Sequence, residues 1–177
     1  MRTGPARLPI ERLAEEEGFA FYSWGSLFLS FNGVQASDAY FDAFDSSLKL
    51  HMRRNPESVF MYSIHRIDRV TSQPSAESRK KSADLLKLVD PILHGNVMVF
   101  DVRGMTGAII RTFVSGVFLL TRSKVRNKVC DDPVEGAQWL RDLEPPVVPD
   151  LAENYEAFLR TALTEADRIM GPSPRTR

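Results

Sequence analysis

Val97-Met-Val-Phe-Asp-Val102 is an almost unbroken apolar run whose one acidic residue comes near its end. A strand with one wet face alternates polar and apolar residues. A continuous run predicts a strand buried on both faces, and such strands sit centrally in sheets covered by helices. His94-Gly95-Asn96 reads as the turn that leads into it. Beyond it lies the longest apolar stretch, Met105 to Thr121, broken by Arg111, Gly107, Gly116 and several hydroxyl residues. A bilayer span needs roughly 20 apolar residues, so this shorter, interrupted stretch reads as a buried helix and no membrane insertion is expected.

Upstream, Phe19–Trp24 and Leu27–Phe31 are rich in aromatic residues, are separated by Gly25-Ser26, and predict two adjacent strands. From Ser37, a plausible N-cap, the period changes: Tyr40, Phe41, Phe44, Leu48 and Met52 fall on one helical face until Arg53-Arg54-Asn55-Pro56 stops the helix. Val59–Ile64 predicts a strand. A helix opened near Pro74 is expected to run to about Leu93, with Ala83, Leu86, Val89 and Leu93 inward and Arg79, Lys80, Lys81 and Lys87 outward. Downstream, Lys124–Val129 predicts a strand and Asp132-Pro133 opens a helix containing Ala137, Trp139, Leu140 and Leu143. Leu151–Met170 is a final amphipathic helix. Trp24, Tyr22 and that helix either form an exposed apolar surface for a partner or complete the core.

Strands alternating with helices predict an α/β fold, a mixed sheet of about five strands joined by right-handed crossovers. The 177 residues suffice for one domain. Residues 1–17 read as an N-terminal arm, 18–145 as the α/β domain, 146–170 as the added C-terminal helix and its linker, and 171–177 as a disordered tail.

The 23 basic and 23 acidic residues cancel, so no global field draws the chain to nucleic acid. Cys130 is the sole cysteine, which excludes an internal disulfide and a cysteine-built zinc site. The first residues, with Pro5, Pro9, Glu11 and Glu15 to Glu17, carry no apolar core of an export signal, and a cytoplasmic location is expected.

No stretch names a catalytic apparatus. His51, His65 and His94 lack the spacing that brings two metal ligands to one face, Gly104-Met-Thr-Gly107 is too short for a dinucleotide fingerprint, and there is no Gly-x-Ser-x-Gly elbow. Cys130 is followed by Asp131-Asp132, whose charge disfavours a thiolate. Neither a cofactor nor a metal is expected. The best pocket candidate is Asp101, Arg103 and Gly104 at the end of the central strand, where open α/β sheets place ligands; an ion pair with a tight turn explains the same residues.

The order of elements, Val97–Val102 followed by Arg111 in a helix and then Val125-Arg-Asn-Lys-Val-Cys-Asp-Asp-Pro-Val-Glu-Gly-Ala-Gln-Trp-Leu140, resembles STAS-like proteins related to anti-sigma-factor antagonists. The resemblance covers Leu27 to Leu143. It implies a cofactor-free bacterial regulatory protein that works through a protein partner, or else a sensor of a small lipid or nucleotide. A homodimer is the alternative to a separate partner, and a sensor would use a pocket lined by Met105, Ile109, Phe113 and Phe118 beside Asp101. Family members that switch by phosphorylation carry Asp-Ser-x-Gly. The corresponding region here is Asp68-Arg-Val-Thr-Ser-Gln-Pro-Ser75, which leaves Thr71, Ser72 and Ser75 as candidate phosphorylation sites, near Arg79, or as helix caps.

Overall fold

The computed structural model describes residues 9–34, 37–67, 76–102, 125–143 and 151–174. The chain forms an α/β fold: a mixed six-stranded sheet whose strands lie side by side in sequence order, with helices on both faces. β1 (Glu11–Glu16), β2 (Phe19–Trp24) and β3 (Leu27–Asn32) are antiparallel neighbours. β4 (Val59–His65), β5 (Leu93–Phe100) and β6 (Arg126–Cys130) run parallel to β3.

Helix α1 (Asp38–Arg54) begins at Ser37, whose hydroxyl accepts from the Tyr40 amide, and ends at Asn55. It shares one face of the sheet with α2 (Ala76–Val89) over Phe19, Phe21, Phe28, Val59 and Met61. The opposite face carries α3 (Pro133–Arg141), capped by Asp132, and α4 (Tyr155–Met170) over Trp24, Leu29, Phe60, Tyr62, Val97 and Val99. Trp24 and Tyr22 are buried there, and the Trp24 ring stacks on Phe158 of α4 at 5.5 Å. They complete the core, as does the apolar face of the last helix.

The last helix begins at Tyr155 rather than Leu151, and three further differences from the sequence reading change the architecture. The N-terminal arm contains β1, an edge strand whose charged pattern gives no apolar alternation; it is held by its ladder to β2. The second helix ends at Val89, because Pro91 denies the backbone both its amide and the helical conformation of Asp90. His94-Gly95-Asn96 is then part of β5 rather than a turn. Leu93 pairs with Val59 and Gly95 with Phe60, so His94 is an extra, looped-out residue. The bulge turns Leu93 toward α1 and α2, and Gly95, Val97 and Val99 toward α3 and α4. Gly95 lets Leu143 pack close: a Cβ there would lie 2.8 Å from Leu143 Cδ1 and 3.2 Å from Phe60 Cδ1, so these side chains would have to shift.

The helix expected over Met105–Thr121, the pocket lining drawn from it, and the candidates Thr71, Ser72, Ser75, Arg103 and Gly104 lie outside the described residues, as does the side chain of Arg79. No helix among the described residues is long and apolar enough to cross a membrane.

Candidate functional site: the strand ends of β4 and β5

The carboxyl ends of β4 and β5 are where a parallel sheet offers a ligand crevice. Asp101 follows β5 there, buried, and its partner is Arg66, the residue that follows β4. Arg66 Nε donates to Asp101 Oδ2 at 2.7 Å, with side-chain exposures of 3% and 0%. The backbone prepares the pair: the Asp101 amide donates to the His65 carbonyl, and the Arg66 amide to that of Asn32, so the parallel ladder runs one step past the strands. Equivalent positions on neighbouring strands thus carry opposite charges.

The end of α4 and the residues after it close over this pair. Arg66 Nη1 donates to Asp167 Oδ1 of α4 and to the Gly171 carbonyl, both at 2.6 Å, and the Ser173 hydroxyl donates to Asp101 Oδ1 at 3.1 Å. Residues 171–173, expected to lie free as a tail, are therefore fastened across the strand ends. Arg66 Nη2 is buried with no hydrogen-bond partner among the described residues.

On the other face of the sheet the same edge is half polar. Ser30 is paired in register with Ser63, and Asn32 with His65. His65 stacks on Phe100 with centroids 5.0 Å apart, and burial pushes its pKa down to about 4, so it is neutral at physiological pH. Its Nε2 is buried without a partner among the described residues, whereas the Ser30 hydroxyl lies against that of Tyr40. Because successive strand residues point to opposite faces, His65 and Arg66 do not converge on one molecule.

The remaining titratable groups read as structural. His51 is buried with Nδ1 at 2.8 Å from Ser23 Oγ and Nε2 at 3.2 Å from the Ser26 carbonyl. Burial raises the Cys130 thiol to about 11, more than the neighbouring Glu135 and Asp131 charges do. Burial, rather than the adjacent aspartates, is the chief reason it is a poor nucleophile. Tyr22 donates to Glu165, while Arg168 grips Glu15 through two hydrogen bonds of 2.7 Å and also reaches Tyr22. The grip of Arg168, helped by Arg12, holds the Glu15 carboxyl down at about 2. This cluster pins α4 to β1 and β2.

No family model matches the chain, and no curated protein or solved structure shows significant similarity to it. The site must be read from its own geometry.

Of the residues singled out in the sequence as a ligand or partner site, only Asp101 among those described lies in this network. Arg66, Asp167 and Ser173 were not visible as its partners. Arg66 had one signal, an opposite charge just after an apolar strand run; the other two depend on where α4 docks. The basic pair Arg53-Arg54 falls elsewhere. Arg53 borders a shallow depression of about 360 Å³ with Lys49, Met52, Pro56 and Ile92, at the end of α1 remote from Ser37.

Proposed function

We propose that the chain is a non-catalytic regulatory or scaffolding module, STAS-like in organisation, that acts in the cytoplasm through contact with a protein partner or a second copy of itself, and not with nucleic acid. The observation that carries this reading is the closure of the strand ends of β4 and β5. The one acid singled out there, Asp101, is buried against Arg66 and covered by Gly171 and Ser173. A group so engaged supports architecture better than acid–base chemistry, which needs a carboxyl within hydrogen-bond reach of a substrate.

The test is affinity purification of the tagged full-length chain from its native cells, followed by cross-linking of retained proteins and a broad hydrolase and transferase screen. A stoichiometric partner cross-linked to a defined face, with a silent screen, supports the reading. Turnover abolished by Asp101→Asn overturns it.

A second reading, a sensor of a small lipid or nucleotide, draws on His65 Nε2. A buried polar atom without a partner among the described residues costs about 1–3 kcal/mol unless something satisfies it. Native mass spectrometry showing a retained small molecule, lost in His65→Phe, would favour it over the first.

A further inference from the structure

We propose that the Asn32-Gly33 dipeptide at the end of β3 is a self-modification site, held shut by the fold: its asparagine cyclises onto the next peptide and is hydrolysed once the end of α4 lifts from Gly33. Water is the only co-reactant. The backbone nitrogen of Gly33 attacks Cγ of Asn32, the N–Cγ bond forms and the Cγ–Nδ2 bond breaks. Nδ2 leaves as ammonia, taking up the proton of the Gly33 amide. Water then opens the cyclic imide at either carbonyl and leaves an aspartyl or an isoaspartyl residue. Asparagine is a thermolabile residue, and a following glycine, having no Cβ, leaves the attacking nitrogen open and the backbone free to reach the ring geometry.

The structure both primes this pair and locks it. Asn32 Oδ1 accepts from the Val34 amide at 3.1 Å, an Asx turn that folds the side chain back over the Gly33 peptide and polarises the carbonyl to be attacked. The attacking atom is the restrained one. Gly33 N–H donates to the Gly18 carbonyl at 2.8 Å, one step past the Phe19–Asn32 pair of the β2–β3 ladder, and must give up that bond and its proton to react. Met170, the last residue of α4, lies over the same glycine. A Cβ on Gly33 would stand 3.0 Å from both Cβ and Cγ of Met170 and crowd the helix end, which accounts for the glycine at this position.

The product falls on a position that the sheet uses. Asn32 is buried and paired in register with His65, and its carbonyl accepts from the Arg66 amide. An aspartyl residue at position 32 puts a carboxylate into the interior opposite His65, at a desolvation cost the amide does not incur. An isoaspartyl residue lengthens the main chain by a methylene group and displaces the carbonyl that seats Arg66. Either way the modification loosens the ends of β3 and β4 for good, whereas the opening of α4 that permits it is reversible.

This inference is independent of the regulatory reading. The full chain, native or in denaturing urea, is held in the same mildly alkaline buffer, and product at each asparagine is followed by peptide mass spectrometry. In urea, position 32 should react at least about tenfold faster than Asn96, Asn127 or Asn154, which precede Val97, Lys128 and Tyr155. Gly33→Ala, measured in urea where folding is immaterial, should slow it by about tenfold. In the native protein the rate at position 32 should fall by about tenfold or more, and Met170→Gly, which strips the cover from Gly33, should raise the native rate at least about threefold with the far-UV circular dichroism unchanged. Another asparagine leading in urea, or a native rate equal to the unfolded one, overturns the proposal. A native rate unmoved by Met170→Gly overturns the role given to α4.

Discussion

Arg66 and Asp101 lie on adjacent parallel strands, one residue beyond the last His65–Phe100 ladder pair, and meet at 2.7 Å with almost no solvent access. In such surroundings each charge is tolerable only because the other is present. Removing one leaves an uncompensated buried ion, whereas removing both costs far less.

Arg66→Met should therefore lower the free energy of unfolding by about 3–5 kcal/mol. The double variant Arg66→Met with Asp101→Leu should regain most of it. Urea titrations of the three proteins check this. A double variant no better than the single one would mean that the network of Asp167, Gly171 and Ser173, and not the pair, carries the stability.

His65 gives the protein an acid limit. Its pKa falls from 6.5 in the unfolded chain to about 4 in the folded one, so the unfolded state binds the proton first. Stability is complete above pH 6.5 and declines as pH drops from there to about 4, by on the order of 3 kcal/mol. His51, also pushed down by burial, adds to the same slope. His65→Phe should flatten the curve of stability against pH in that window, and unchanged curvature would show that His65 does not contribute.

Gly136 brings α3 onto the sheet: a Cβ there would lie 2.8 Å from Val97 Cγ1 and 3.1 Å from Val99 Cγ2. Gly136→Ala gains helix propensity of about 1 kcal/mol, yet overpacking of this kind costs about 1–3 kcal/mol. The thermal midpoint should fall, and a rise would show that α3 can shift without loss.

Cys130 should be silent in the native protein. With its thiol moved from 9.0 to about 11 by burial, the thiolate population at pH 8 drops about a hundredfold. Reaction with an aromatic disulfide should be slow until denaturant is added, and a native rate equal to the denatured one would contradict this placement.

The strands that carry apolar or aromatic runs were legible, because the interior alone demands such residues at Phe19–Trp24, Leu27–Phe31, Val59–Ile64 and Val97–Phe100. The Ser37 and Asp132 caps were legible too, since their hydrogen bonds are local. β1 was not: its residues Glu11, Arg12, Glu15 and Glu16 are exposed or half-buried, and only pairing to β2 makes them a strand. The bulge at His94 was hidden for a related reason, since glycine and asparagine signal a turn unless a neighbouring strand supplies the ladder. At the site, Asp101 stood out as a charge closing an apolar run, but its partners lie 35 and 72 residues away in Arg66 and Ser173. Such separations are settled by topology, which local patterns do not encode.

Strand order follows chain order, but the helix that roofs the first strands is made after all six of them. During synthesis Trp24, Leu27, Leu29 and Phe31 have no cover on their α4 side until Phe158 has emerged, and Glu15 waits 153 residues for Arg168. The nascent chain thus carries an oily, half-built surface until the codons of α4 are read, and holdase chaperones should be needed most in that interval.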